Sequence, residues 1–182
     1  MDEENLIKKL TLDAVHRDSG GKMMPFAGYD MPIQYEGVTA EHLSVRKNVG
    51  VFDVSHMGEF YIEGPDSINF LQLVTSNDVS KLSPGKIQYT CFPNSSGGIV
   101  DDLLLYCINR ESFLLVVNAS NISKDWSWLK ANKGSFNIKL TNSSDNISLF
   151  AVQGPNSTKA IENLTNMRLS ELSYYTFEIG EF

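Results

Sequence analysis

The chain has 182 residues, of which 42% are hydrophobic and 20% are charged. This composition is typical of a globular protein with a buried core and excludes a disordered tail. The net charge is -7 and the lysines and arginines are scattered along the chain, so a nucleic-acid backbone would be repelled. No apolar run approaches the roughly 20 residues that cross a bilayer, and the acidic N-terminus is unlike a signal peptide. We therefore expect neither a nucleic acid nor a membrane as a partner.

The two cysteines, Cys91 and Cys107, lie in apolar segments with strand character. They lack the CxxC spacing of redox and metal sites, so we interpret them as small buried thiols rather than as a disulfide or a metal pair. Free thiols fit the reducing cytosol.

The first fifty residues predict two helices with a loop between them. Residues 11–19 form a short helix that ends at Gly20, and Thr39 is the expected N-cap of a second helix that extends to residue 48. Residues 25–37 mix aromatic residues with glycine and proline, which predicts a loop that packs against the rest of the chain.

From Gly58 onward the periods of strands and helices alternate. Phe60 and Ile62 have the spacing of a strand, and Ile68, Leu71 and Val74 have that of a helix. A meander of three strands is then predicted over residues 87–92, 99–107 and 113–118, followed by a helix around Trp126 and Leu129 and by a strand over residues 136–140. The order βαβββαβ indicates a ferredoxin-like α+β sandwich with an added strand.

The C-terminal part predicts a strand over residues 147–152, a helix over residues 157–164 and an extended aromatic segment from Tyr174. The sequence ends within a strand-like pattern, so we expect it to be a truncated piece of a longer protein.

Candidate chemistry centres on Asp101 and Asp102, at the beginning of the second strand of the meander. Because side chains alternate along a strand, Asp102 shares a face with Tyr106, while Asp101 lies on the opposite face. If Val116 and Asn118 of the next strand lie beside Asp102, the face offers a carboxylate, a phenol and an amide on an apolar floor. Such a floor suits a flat heteroaromatic ligand. The alternative is that an aspartate pair after a Gly-Gly turn is simply solvated.

The three histidines do not have the spacing of metal ligands. His56 lies near Asp53, whereas His16 and His42 are isolated in the sequence, so helix capping or loop packing is the better interpretation. No Walker loop, GxGxxG or GxSxG motif is present in the sequence.

Six blocks of the sequence resemble, in order, the T-protein family of aminomethyltransferases of the glycine cleavage system. The blocks are FAGYDMP (26–32), GVFDVSHMGE (50–59), TSNDV (75–79), GGIVDDL (97–103), VVNASN (116–121) and QGP (153–155). Tyr29 departs from the family's usual tryptophan but keeps an aromatic ring. One block alone would be weak evidence, whereas six in register are strong.

The resemblance implies an α+β fold in which a ferredoxin-like antiparallel segment is inserted into a second α+β domain. Residues 1–50 and 146–182 would form the first domain, discontinuous and truncated, and residues 51–145 the inserted folate-site domain. A third, barrel-like domain and later folate-clamping residues of the family have no counterpart within these 182 residues. We therefore expect this chain to be inactive alone.

The resemblance also implies a function. The family passes the aminomethyl carbon from lipoylated H-protein to tetrahydrofolate, its co-substrate, and releases ammonia without a metal. Asp102 matches the family's catalytic aspartate at the folate bridge nitrogen. The positions that match residues lining the folate are Met57, Tyr89, Tyr106, Val116 and Asn118. Such a protein is expected in the bacterial cytoplasm, or in the mitochondrial matrix of a eukaryote.

Two alternatives remain open. The first is a folate-binding relative with the same fold, such as an iron-sulfur assembly factor, a folate-dependent demethylase, or the folate domain of a dimethylglycine or sarcosine dehydrogenase. The second is a ferredoxin-like binding module without chemistry. The GGIVDDL block and residues 52–59 favour the T-protein, and folate binding without turnover would favour the module.

Overall fold

The computed structural model describes residues 7–182, which form two compact units. The first unit comprises the described residues up to His56 together with Ser148–Ser170 and Gly180–Phe182, and the second comprises Met57–Ile147 and Glu171–Ile179. Compact units do not by themselves establish domains, so the domain division given above stays a prediction.

Ten strands and five helices follow one another among the described residues. In chain order they are β1 (Lys8–Lys9), α1 (Asp13–Asp18), β2 (Lys22–Phe26), β3 (Tyr29–Gln34), α2 (Val38–Lys47), β4 (Gly50–Asp53), β5 (Gly58–Glu63), α3 (Ser67–Val74), β6 (Ile87–Pro93), β7 (Ile99–Asn109), β8 (Ser112–Val117), α4 (Ile122–Asn132), β9 (Lys139–Asn142), β10 (Phe150–Gln153) and α5 (Ser157–Ile161). Short 3-10 turns occur at Val79–Lys81, Ala119–Asn121, Glu162–Leu164 and Leu169–Glu171. None of the helices in this described part is long and apolar enough to cross a membrane.

The first unit contains a hairpin where we predicted a loop. Strands β2 and β3 pair antiparallel, and Phe26 lies opposite Tyr29. The two residues between them, Ala27 and Gly28, have φ angles of 50° and 84°, as a two-residue type I′ turn requires. The loop prediction was wrong because alanine is not a usual signal for a positive φ angle, and because Pro25 argued against a strand.

The second helix of this unit, α2, begins at Val38 after Gly37, which has a φ of 131°. The prediction that Thr39 caps the helix was therefore wrong, because Thr39 lies inside it. The Glu41 carboxylate instead accepts hydrogen bonds from the backbone N–H groups of Tyr35 at 2.7 Å and Gly37 at 2.8 Å. These bonds hold the pKa of Glu41 below its usual value.

The second unit is built on an antiparallel five-stranded sheet with the order β6-β7-β8-β5-β9. The predicted meander of β6, β7 and β8 and the α+β class are confirmed. The edge strand beside β5 is β9, which begins at Lys139, three residues later than the strand predicted over residues 136–140. Phe136 lies outside this strand and packs edge-on against Phe70 of α3, with ring centroids 5.7 Å apart. The predicted strand over residues 147–152 is present as β10, which pairs with β4.

The two faces of the five-stranded sheet differ in character. Along β7, Asp101, Leu103, Leu105 and Cys107 are buried, while the residues between them are exposed or half-buried. The alternation predicted for this strand is therefore confirmed. The buried face carries the apolar core together with α3 and α4. We call the other face, which carries Asp102, Leu104 and Tyr106, the Asp102 face.

Candidate functional site

The six predicted site residues lie on four neighbouring strands or directly beside them. Tyr89 is on β6, Asp102 and Tyr106 are on β7, and Val116 is on β8. Asn118 directly follows β8 and Met57 directly precedes β5, beyond the last paired residues of these two strands. The second unit thus brings the predicted residues to one region of the sheet.

One row of cross-strand partners runs along the Asp102 face. Tyr89 lies opposite Leu104, Leu104 opposite Val116, and Val116 opposite Glu59 of β5. Directly opposite residues of antiparallel strands point to the same side of the sheet. This row forms an apolar floor with a phenol at one end and a carboxyl group at the other.

The carboxylate of Asp102 is held by two hydrogen-bond donors. The Tyr89 hydroxyl donates to Asp102 Oδ2 at 2.8 Å, and Asn118 Nδ2 donates to Asp102 Oδ1 at 3.3 Å. The bond to Asp102 raises the pKa of Tyr89, so the phenol keeps its proton at neutral pH. Asp102 is exposed, and a carboxylate oriented in this way can still accept a hydrogen bond from an amine or stabilise a nearby positive charge.

The ring of Tyr106 has a neighbour that strand arguments did not foresee. Phe177 packs against it edge-on, with ring centroids 5.4 Å apart. Burial raises the pKa of Tyr106, and the nearby Tyr175 adds to the effect. Residues 175–177 also make backbone hydrogen bonds at the start of β6. The N–H of Ile87 donates to the Tyr175 carbonyl and the N–H of Phe177 to the Gly85 carbonyl, both at 2.9 Å.

Asn118 links the two aspartates. Its Nδ2 lies 3.1 Å from Asp101 Oδ1 and 3.1 Å from the backbone carbonyl of Asp102, in addition to the bond to the Asp102 carboxylate. The Nδ2 of Asn121 also donates to Asp101 Oδ1, at 2.8 Å. Asp101 is 7% exposed, so the alternative that both aspartates are solvated is wrong for Asp101.

Two buried carboxyl groups near this region were missed by the sequence analysis. Asp125 on α4 has no exposed surface, and Glu59 is 1% exposed. Burial raises the pKa of Glu59 to about 7, and burial together with Asp101 raises the pKa of Asp125 to about 8. A signal existed for Asp125, which stands four residues before the core residue Leu129. Glu59 carried no such signal, because strand alternation places it on the face opposite Phe60.

The comparisons with known proteins agree on one family. The model of the GCVT N-terminal domain matches residues 12–182. The chain belongs to this family. The aminomethyltransferase of Bacteroides fragilis is 58% identical over 167 residues, which are 92% of this chain and 46% of that protein. The aminomethyltransferase of Flavobacterium psychrophilum is 53% identical over 176 residues, which are 97% of this chain and 49% of that protein.

A solved structure supports the predicted T-protein fold. The glycine cleavage system aminomethyltransferase T from Bartonella henselae superposes with a TM-score of 0.85 at 32% identity, over 93% of this chain and 46% of that one. The chain therefore spans about half the length of the relatives it matches.

Two of the three histidines, His16 and His56, contact other side chains of the first unit. His16 Nε2 lies 2.9 Å from Asp53 Oδ2, and His16 Nδ1 lies 2.8 Å from the Tyr35 hydroxyl. The ring of His56 contacts Phe26 and Tyr29 edge-on. Within residues 7–182, no group of three or more His, Cys, Asp or Glu side chains is placed to hold a metal ion.

Proposed function

We propose that this chain provides the catalytic carboxylate and part of the folate site of a tetrahydrofolate-dependent aminomethyltransferase of glycine cleavage. The observation that carries the proposal is the exposed Asp102 carboxylate, which Tyr89 and Asn118 orient on an otherwise apolar floor. The family membership and the printed names of its relatives support the same reaction.

The proposed reaction transfers one carbon. The bonds from the aminomethyl carbon to the lipoyl sulfur of H-protein and to the amine break, which releases the lipoyl thiol and ammonia. Bonds from the same carbon to two nitrogens of tetrahydrofolate replace them and form the methylene bridge, and the protons lost from these nitrogens go to the sulfur and the amine. Asp102 orients the weakly basic bridge nitrogen and stabilises the positive charge of the iminium carbon as it is attacked. This chemistry needs no metal, and we propose that it takes place in the cytoplasm or in a mitochondrial matrix.

The other site residues would bind the folate. Val116 and Leu104 form the apolar floor, and Met57, which directly precedes β5, would add an apolar side chain beside it. Because the Nδ2 group of Asn118 donates to both aspartates, its Oδ1 is the atom that can accept a hydrogen bond from a polar edge of the ligand. Tyr106 offers a ring that Phe177 holds in place.

The test uses what we call the extended protein, this sequence joined to the C-terminal half of the Bacteroides fragilis relative. With lipoylated H-protein and tetrahydrofolate, it should form methylenetetrahydrofolate and ammonia in equal amounts. Tetrahydrofolate binding without turnover would instead support a binding module. A protein that neither binds tetrahydrofolate nor turns over would contradict the proposed function.

A further inference from the structure

Asp125 is a buried carboxyl group that the proposed reaction does not use. It has no exposed surface, and neither of its oxygens receives a hydrogen bond from an N–H or hydroxyl group. The carboxyl group of Asp101 is its neighbour, and Oδ2 of Asp101 is likewise buried without a donor, so the two acids can satisfy each other only by sharing a hydrogen bond. Since buried polar groups are almost always hydrogen-bonded, this pairing of two acids needs a physical account.

Two carboxyl groups can share a hydrogen bond only if one of them keeps its proton. Asp101 Oδ1 already accepts amide hydrogens from Asn118 and Asn121, at 3.1 and 2.8 Å. Asp101 Oδ2 is buried and has no donor unless Asp125 supplies one. The pair is therefore satisfied when Asp125 is the acid and Asp101 is the carboxylate.

The environments of the two groups favour the same assignment. Burial and the adjacent Asp101 raise the pKa of Asp125. Burial also acts to raise the pKa of Asp101, but its hydrogen bonds with Asp125, Asn118 and Asn121 outweigh burial and bring that pKa below its usual value. A proton shared by the pair thus belongs to Asp125 near neutral pH.

We propose that protonated Asp125 fixes Asp101, that Asp101 fixes the amide of Asn118, and that Asn118 in turn positions the carboxylate of Asp102. Asn118 Nδ2 is within hydrogen-bonding distance of both aspartates, which makes it the link. Asp125 and Asp101 are positioning residues for Asp102. Only the last step, from Asn118 to Asp102 in catalysis, rests on the proposed function.

Other charges act on this pair and define its pH dependence. Lys124, the preceding residue of α4, favours the ionised form of Asp125, whereas Asp101 and Asp102 oppose it. The net result is a pKa of about 8. When the pH rises through that value, Asp125 loses its proton and its carboxylate repels that of Asp101. The Asp101 carboxylate, which accepts from the Asn118 amide, then moves away from its position.

The pairing can be tested by NMR on the 182-residue chain. We expect the carboxyl carbon of Asp125 to titrate near pH 8, and hydrogen exchange of the Asn118 side-chain amide, corrected for its intrinsic pH dependence, to rise about tenfold through the same range. Asp125→Asn supplies an amide donor in place of the acid, so it should keep Asn118 protected and remove the pH dependence. Asp125→Leu has no donor and should release Asn118 at every pH.

Two results on this chain would overturn the pairing. One is an Asp125 carboxyl that titrates like an exposed aspartate, and the other is an Asn118 amide that is unaffected by Asp125→Leu in a folded chain. Should Asp125→Leu fail to fold, two measurements still test the pairing. They are the titration of Asp125 in the unsubstituted chain and the pH dependence of Asn118 amide exchange in the Asp125→Asn variant.

The link to Asp102 is tested by calorimetry with tetrahydrofolate on the extended protein. Asp125→Leu should weaken binding about tenfold, as expected for one lost hydrogen bond, and Asp125→Asn should restore it. If the unsubstituted protein binds no tetrahydrofolate, the proposed function fails and the NMR result still decides the pairing. If Asp125→Leu binds tetrahydrofolate as tightly as Asp125→Asn and the unsubstituted protein do, the link from the pair to Asp102 is wrong.

Discussion

At the scale of residues, Asp101 and Asp102 are adjacent in the sequence but differ in environment. Asp101 faces α4, its Oδ1 accepts from the amides of Asn118 and Asn121, and the proposed donor to its Oδ2 is Asp125. Asp102 faces the other side of the sheet and is exposed, with Tyr89 and Asn118 as donors. Strand alternation is the cause of this division of roles.

Tyr106 gives a prediction about the proposed folate site. Tyr106→Ala should weaken tetrahydrofolate binding to the extended protein by roughly 1–3 kcal/mol, because the ring and its packing against Phe177 are lost. Calorimetry measures the change. Tyr106→Phe is the matched control, since it keeps the ring and should bind nearly as well as the original. Unchanged affinity for the alanine variant would place the ligand elsewhere.

Glu59 gives a prediction about pH. Its pKa is raised to about 7 from an ordinary value of 4.5, so the folded chain holds this proton more tightly than the unfolded chain. The stability it contributes is therefore present below about pH 4.5 and is lost as the pH rises through about 7.

Denaturant unfolding of the chain between pH 5 and 8 measures this effect. The free energy of unfolding should fall by about 2–3 kcal/mol over this range because of Glu59, and Glu59→Gln should remove that part of the fall. Glu63→Gln, on the same strand, controls for the loss of one carboxylate. A Glu59→Gln variant with the pH dependence of the original chain would show that Glu59 is not buried as described.

At the scale of elements, the central strands were predictable and the tight connections were not. Strands β7 and β8 contain long apolar runs, and the alternation of side chains along a strand determines which face Asp102 occupies. The β2–β3 hairpin depends on a positive φ angle at Ala27, which residue type alone does not reveal. The Asp101–Asp125 pair joins two elements 24 positions apart, and local periodicity carries no information about such contacts.

The Ala27 turn leads to a prediction of its own. Ala27→Asn should raise the free energy of unfolding by about 0.5–1 kcal/mol, because asparagine tolerates a positive φ angle better than alanine. Thermal or urea unfolding provides the measurement. Gly28→Ala, at a φ angle of 84°, should act in the opposite direction. A neutral or destabilising Ala27→Asn would contradict the type I′ turn.

At the scale of the whole molecule, the apolar core is unevenly distributed. The members of the central cluster all lie between Phe60 and Ile138, in the second unit. Among the described residues of the first unit, the buried hydrophobic side chains are Leu10 and Met31. The second unit should therefore be the more stable of the two.

Hydrogen exchange on the purified chain tests this difference. Residues 99–118 should be strongly protected, and residues 150–164 weakly. The amide of Phe177 should exchange with the second unit despite its late position, because it donates to the Gly85 carbonyl. Equal protection in both regions would contradict the predicted order of stability.

The central claim is that Asp102 is the catalytic carboxylate, and paired substitutions in the extended protein test it most directly. With lipoylated H-protein, Asp102→Asn should lower the rate of methylenetetrahydrofolate formation by about 10²–10⁴-fold, as for the loss of an acid-base or electrostatic group. Asp101→Asn should lower it less, because asparagine can still accept from Asn118 and can donate to Asp125. Equal losses for the two variants, or an Asp102→Asn enzyme with nearly full activity, would contradict the assignment.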